Sequence, residues 1–439
     1  MNADSAATAT NEGPGWRYYL QRPVLVIFFL GFSGGLPFPL IYSTLTAWLE
    51  TAEIQRSTIS TFAWLGFAYS FKFLWSPLID RVRLPILSSW LGHRRAWLFA
   101  SQLALTLSLV SLAVIDPKLE MAAFAWIGIA IAFLSATQDI VIDAYRIESA
   151  KPKLQSVLAA SYQYGYRLAV LFGTGGALIL SDFLPWSVIY KIMAGGMAVG
   201  LITTLLCREP DTKAGVIVSL SGSTIEQIRQ WLFIAVVEPF VDFVQRYKKH
   251  SFVFLAFIAS FYVSDRVLGI LANPFYIDIG YTGLQIGTVA KLYGFWISLF
   301  GISAGAFSII RYGMARSVIA ASVLIVSTNL FFALIAVTGP RIEVLVLTIS
   351  FDNFASTFGS TVMITFMSSL VSTRFTATQY ALLSSISMFF GKLLAGFSGN
   401  VKMGIGWFEF FLYAAGTGIP AIVLSVLVAR SLLAEQKLE

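Results

Sequence analysis

The chain has 439 residues, 57% hydrophobic and 12% charged, with a mean hydropathy of +0.76. Soluble domains carry about 25% charged residues, so a soluble globular protein is excluded. The net charge of +7 does not point to nucleic acid, because its cations cluster in the polar segments between apolar runs. The single cysteine, Cys207, leaves no internal disulfide and no cysteine cluster for a metal. No metal and no cofactor is expected.

Residues 1–23 are polar, with no hydrophobic signal core before a cleavage site, and read as a short cytoplasmic tail. Apolar stretches then recur, each able to cross a hydrocarbon core about 30 Å thick. They lie near 24–49, 58–80, 96–115, 121–145, 156–181, 187–207, 252–272, 283–307, 316–337, 343–370, 378–398 and 406–430. In lipid every backbone polar group needs an internal partner, so these segments are expected to be helices. With the N-terminus placed in the cytoplasm, roughly twenty of the thirty Lys and Arg residues fall on cytoplasmic segments, as the positive-inside rule requires. Both termini are therefore expected inside. His93 and His250 both fall in polar segments, so any proton carrier within the membrane must be a carboxylate.

The longest polar interval, 208–250, separates a bundle at 24–207 from a bundle at 251–430. Residues 431–439 form a second cytoplasmic tail. In the interval, Ser223 and Glu226 fit a capping box that opens a helix. Trp231, Phe233, Val237, Phe240 and Val244 offer an apolar face, with Pro239 expected to interrupt it. An amphipathic linker on the inner membrane surface is the simpler reading, and a regulatory partner site the other. Two six-helix halves joined by a cytoplasmic linker are the layout of the major facilitator superfamily. The expected fold is an all-α integral membrane protein of about twelve helices, able to work as a monomer.

Charges inside the spans carry the functional reading, because a charge at mid-membrane costs about 2.5–3.5 kcal/mol and usually faces a polar cavity. Asp139 and Asp143 are four apart, on one face of the fourth span, with Gln138 beside them and Arg146 one turn beyond Asp143. The fifth span carries Tyr162, Tyr166 and Arg167. A guanidinium at that depth needs a carboxylate, and Asp139 or Asp143 is nearest in sequence. This is either a static tie between two helices or a pair that breaks and re-forms in transport. Asp265 and Arg266 lie in the seventh span, Lys291 in the eighth, Asp352 and Asn353 in the tenth, and Lys392 in the eleventh. Asp139, Asp143, Asp265 and Asp352 are the candidates for proton coupling. Gln138, Tyr162, Tyr166, Arg167, Tyr262, Arg266, Lys291, Trp296, Asn353 and Lys392 are the candidates for substrate contact, the aromatics by stacking on sugar faces.

In the segment 78–98, Asp80, Arg81, Arg94 and Arg95 can form a charge latch at a helix end, or serve only as positive-inside anchors. Lys72, near the inner end of the second span, can snorkel or neutralise Asp80. With Arg146 these form the candidate gating set. Gly31, Gly34, Gly35, Pro37 and Pro39 mark the first span for close packing and bending.

GFSGGLPFPLIYSTLTAWL (31–49), FKFLWSPLIDR (71–81), GHRRAWL (92–98), SATQDIVIDAYR (135–146), GYRLAVLFGTGGALILSD (165–182) and FTATQYALLSS (375–385) resemble, in the same order, the AmpG-type muropeptide permeases of that superfamily. The resemblance implies proton-driven import of anhydromuropeptides across the bacterial inner membrane for peptidoglycan recycling. It implies functional acids at Asp139 and Asp143 and, less closely, at Asp265 and Asp352, with cations at Lys291 and Lys392. Arg146 stands where the family commonly has Lys, and Arg266 where it has a small residue. A siderophore importer of the related group, or an integral membrane enzyme or sensor, is the alternative.

Overall fold

The computed structural model describes residues 20–211, 226, 230 and 233–435, and all its regular elements there are helical. Twelve antiparallel helical segments follow one another: α1 (Arg22–Thr51), α2 (56–81), α3 (His93–Val114), α4 (Met121–Glu148), α5 (155–181), α6 (Trp186–Leu206), α7 (His250–Ile279), α8 (283–312), α9 (314–338), α10 (Ile342–Leu370), α11 (376–405) and α12 (407–435). Among the described residues, seven stretches are long and apolar enough to cross a membrane, and the one at Gly283–Thr338 holds both α8 and α9. At Gly313 (φ +80°) and Gly406 (φ +85°) the chain reverses within one residue, in backbone conformations that a side chain would strain.

Several expected spans are broken. α1 is interrupted at Tyr42, whose backbone leaves the helical region just after the GGLPFP stretch. α2 is assembled from short pieces of α-helix and tighter turn, interrupted at Phe71–Trp75. α5 widens at Phe172–Gly176 and α8 at Ile286–Tyr293, and such widened turns favour functional sites. Gly31, Gly35 and Gly165 let α1 and α5 touch backbone to backbone. A Cβ on any of them would collide with Tyr162, Tyr166 or Phe28 main-chain atoms.

The apolar cores show where the halves meet. At the end carrying the linker, Ala377 and Ala381 of α11 pack into the first half's core, and Ile147 of α4 into the second half's. At the waist, Ala160 of α5 packs on Ile302 and Ala306 of α8. At the far end each core stays within its own half. The two bundles are thus joined at the linker end and parted at the other.

Within the linker, Ser223 and Trp231 lie outside the described residues. Pro239 does not interrupt the helix as expected. It sits where the wide-turned run Phe233–Val237 passes directly into the α-helix Glu238–Tyr247, a local change of helical pitch in place of a break. Pro239 and Phe243 pack inward while Phe233, Val237, Phe240 and Val244 stay exposed. The helix is fastened to the second half by Gln379, whose Nε2 donates to the Pro239 carbonyl and to Asp242 at 2.8 Å each. The Gln379 Oε1 accepts from Arg246 at 2.9 Å.

Candidate functional site

Three charged layers run through the molecule. The first seals the linker end. Asp80, at the end of α2, accepts the backbone N–H of Ala377 (3.1 Å) and of Thr378 (2.7 Å) and the Thr378 hydroxyl (2.7 Å). A carboxylate is thereby placed on the N-terminus of α11, where the helix dipole favours it. Arg94, fully buried, holds Asp80 at 2.8 Å and Glu148 of α4 at 2.7 Å. Arg81 pairs with linker Glu238 at 3.5 Å and lies over the Phe375 ring. Arg146 donates to Ser368 of α10 at 3.0 Å and lies over Tyr380 of α11. Arg95 stays within its own half, binding the Thr204 and Leu205 carbonyls that end α6.

The second layer is a largely buried quartet within the first half. Lys72 lies 2.9 Å from Asp139 and 3.7 Å from Asp143, and Arg146 lies 3.2 Å from Asp143. Tyr162 donates to Asp139 at 2.9 Å, and Tyr166 packs beside Tyr162. This corrects two expectations. Lys72 neither snorkels nor meets Asp80. It is buried and bridges both α4 acids, because the breaks in α2 turn it toward α4. Arg167 therefore finds these acids already taken and pairs with neither.

The third layer lines a cavity of about 540 Å³ in the second half. Its walls carry Asp265, Arg266, Lys291, Asp352, Asn353 and Lys392, together with Asn273, Tyr276 and Phe332. Arg167 reaches toward it from α5, close enough that its charge acts on both Asp265 and Asp352. Among the described residues none of Arg167, Asp265, Arg266, Lys291 or Asp352 forms an ion pair within 4 Å. Arg266 lies over the Tyr262 ring, and Lys392 donates to Ser70 of α2 at 3.1 Å. Asn353 is tied to Ser298 of α8 at 3.1 Å.

Of the ten candidates for substrate contact, only Arg266, Lys291, Asn353 and Lys392 line the cavity; Tyr162 and Tyr166 stand with the quartet, Arg167 and Tyr262 lie outside the wall, and two more fall elsewhere. Gln138 is fully buried and turns to Ser33 in the first half's interior. Trp296 is 63% exposed and is not part of the cavity wall. The α4 periodicity that aligns Asp139 with Asp143 turns their neighbour Gln138 away from them, and Trp296, two residues from both Gly294 and Ser298, lies about 200° round the helix from the Asn353-facing side of α8. The sequence reading missed Glu148, Thr378, Ser368 and Ser70. Glu148 is the only one with a local signal, since it ends the same charged run as Arg146.

A crevice between two six-helix bundles, sealed at one end and lined by charge, defines a membrane transporter of the major facilitator fold. Solved structures agree. The human organic anion transporter MFSD10 superposes with a TM-score of 0.67 at 16% identity, covering 94% of this chain and all of that one. The proton:xylose symporter XylE also gives 0.67, at 13% identity over 93% and 94%. No protein-family model matches the chain. The putative transporter AmpG 4 of Rickettsia felis is 32% identical over 400 residues, 91% of this chain and 94% of the relative. The anhydromuropeptide permease of Escherichia coli K12 is 31% identical over 420 residues, 95% and 82%. The chain belongs to the AmpG permease family, whose members are transporters and not enzymes.

Proposed function

We propose that this protein imports anhydromuropeptides across the bacterial inner membrane by proton-coupled alternating access, working as a monomer. The observation that carries the reading is the set of unpaired charges around the second half's cavity. Folded proteins keep desolvated charges paired unless a ligand or a conformational change uses them. The E. coli relative's name supplies the substrate class.

The distribution of Lys and Arg supports an orientation with both termini and the 208–250 linker in the cytoplasm. The sealed end then faces the cytoplasm and the parted end the periplasm, so the structure corresponds to an outward-facing state. Substrate enters between the bundles and reaches Arg167, Arg266, Lys291 and Lys392, which attract its carboxylates, with Tyr166 and Tyr262 beside it. Protons act on two pairs of acids: Asp139 with Asp143, and Asp265 with Asp352. Each carboxylate changes its hold on its basic neighbours when protonated. Inward opening breaks the contacts of Asp80 and Arg146 with α10 and α11 and closes the far end. Each proton contributes about 2.3 kcal/mol per 100 mV, enough for roughly a fiftyfold substrate gradient.

The test is uptake of labelled disaccharide-anhydro-tripeptide by vesicles, with and without an inward proton gradient. Accumulation that collapses with a protonophore is expected. Facilitated equilibration insensitive to the gradient would remove the coupling, and no uptake at all would remove the substrate assignment.

A further inference from the structure

The cavity holds charges of both signs that decline one another. Asp265 and Arg266 are adjacent on α7, Lys291 faces them from α8, Asp352 from α10 and Lys392 from α11. No cation in this set comes within 4 Å of either carboxylate among the described residues, although the first half's acids and cations pair at once. A site built for an anion alone has no use for two carboxylates. They weaken the attraction of the three cations for any anion, Coulomb's law giving each close pair weight in a low-dielectric crevice. The backbone holds the two signs apart. Arg266 is turned onto the Tyr262 ring, and Lys392 is drawn across the crevice to Ser70. Arg167 comes from the opposite half toward Asp265 and Asp352 without closing a pair. Polar groups kept apart before binding are what a ligand carrying both charges requires, since no internal salt bridge must break to admit it.

Resting on the muropeptide reading, we propose that the second half's cavity is the subsite for a zwitterionic peptide end of the substrate. Asp265 and Asp352 receive its free ammonium. Arg266, Lys291, Lys392 and, from across the crevice, Arg167 receive its carboxylates. The sugars then lie nearer the first half, toward Tyr166. The cavity's 540 Å³ accommodates only part of a disaccharide-peptide, which fits a division of the ligand between the two halves. Substrate bound this way ties α5 to α7 and α10 through its own charges, so occupancy and closure of the far end become one event.

A chemical double-mutant cycle tests this with the full chain in nanodiscs. The ligands are a disaccharide-anhydro-peptide with one free amine, its N-acetylated twin, and the parent with its peptide carboxylates amidated. Acetylation is expected to weaken binding to the wild type about tenfold or more, and to weaken binding to Asp265→Asn/Asp352→Asn by about twofold or less. Amidation should weaken the wild type similarly and Arg266→Gln/Lys291→Gln far less. The two variants are separate proteins, so misfolding of one leaves the other arm to decide. Equal penalties in wild type and variants overturn the inference while the muropeptide reading stands. Failure of the wild type to bind any of the three compounds overturns that reading and this one with it.

Discussion

The two halves of the molecule handle buried charge in opposite ways. In the first half, Lys72, Asp139, Asp143 and Arg146 form a closed set in which each carboxylate touches a cation. In the second half, three cations and two carboxylates share one cavity and leave each other unpaired. The first arrangement keeps a charged cluster stable inside a bundle, and its partners must be released for it to act. The second is already open and waits for a ligand. A rocking transporter needs both, an element whose pairing differs between states and a site whose charges are free to bind.

The comparison predicts different responses to the loss of one charge. The largest effect is expected for Lys72→Met, which leaves Asp139 without a cation and Asp143 with Arg146 alone. Removing one partner of a buried pair costs about 3–5 kcal/mol, read as a fall in thermal midpoint in detergent, with uptake lost. Adding Asp139→Asn should recover part of that stability but no uptake. If Lys72→Met is as stable as wild type, the quartet is not a closed set. Asp139→Asn or Asp143→Asn alone should abolish uptake and leave the protein folded, and full transport by both would sink their role. Asp352→Asn sharpens the contrast. It removes a charge with no partner to strand, so the midpoint should hold while uptake falls about tenfold or more.

A smaller effect tests the seal between the halves. Asp80→Asn weakens charge-assisted contacts to α11, worth about 1.5–3 kcal/mol each to a charged group, and should move the population toward the state open at the linker end. Spin–spin distances between labels near the ends of α2 and α11 would report it. An unchanged distribution would show that the apolar contacts of Ala377 and Ala381 hold the seal by themselves. The smallest effect concerns Glu209, which accepts the backbone N–H of Arg94 and Arg95 at the start of α3. Glu209→Ala should cost about 1 kcal/mol of stability, as helix-cap losses do, and change uptake little.

Much of the site was legible as a list of residues and little of it as a set of partners. The α4 acids could be placed on one face because four residues is one helical turn. Their cation could not, since Lys72 reaches Asp139 only because α2 breaks between Phe71 and Trp75 and turns it inward. Nearness in sequence pointed to Arg167 instead, and tertiary packing overruled it. Asp80 and the Arg94–Arg95 pair were recognisable as a latch or an anchor. The choice depends on where α11 begins, about three hundred residues away.

Hydropathy and periodicity are local properties, so the sequence by itself determined the apolar spans, their alternation across the membrane, the division at the linker and the presence of costly charges within the helices. Which charges neutralise one another, which stay open to a ligand and which end of the crevice is shut depend on contacts between segments far apart in the chain. Those contacts follow from how bent helices pack, and only the tertiary structure decided them.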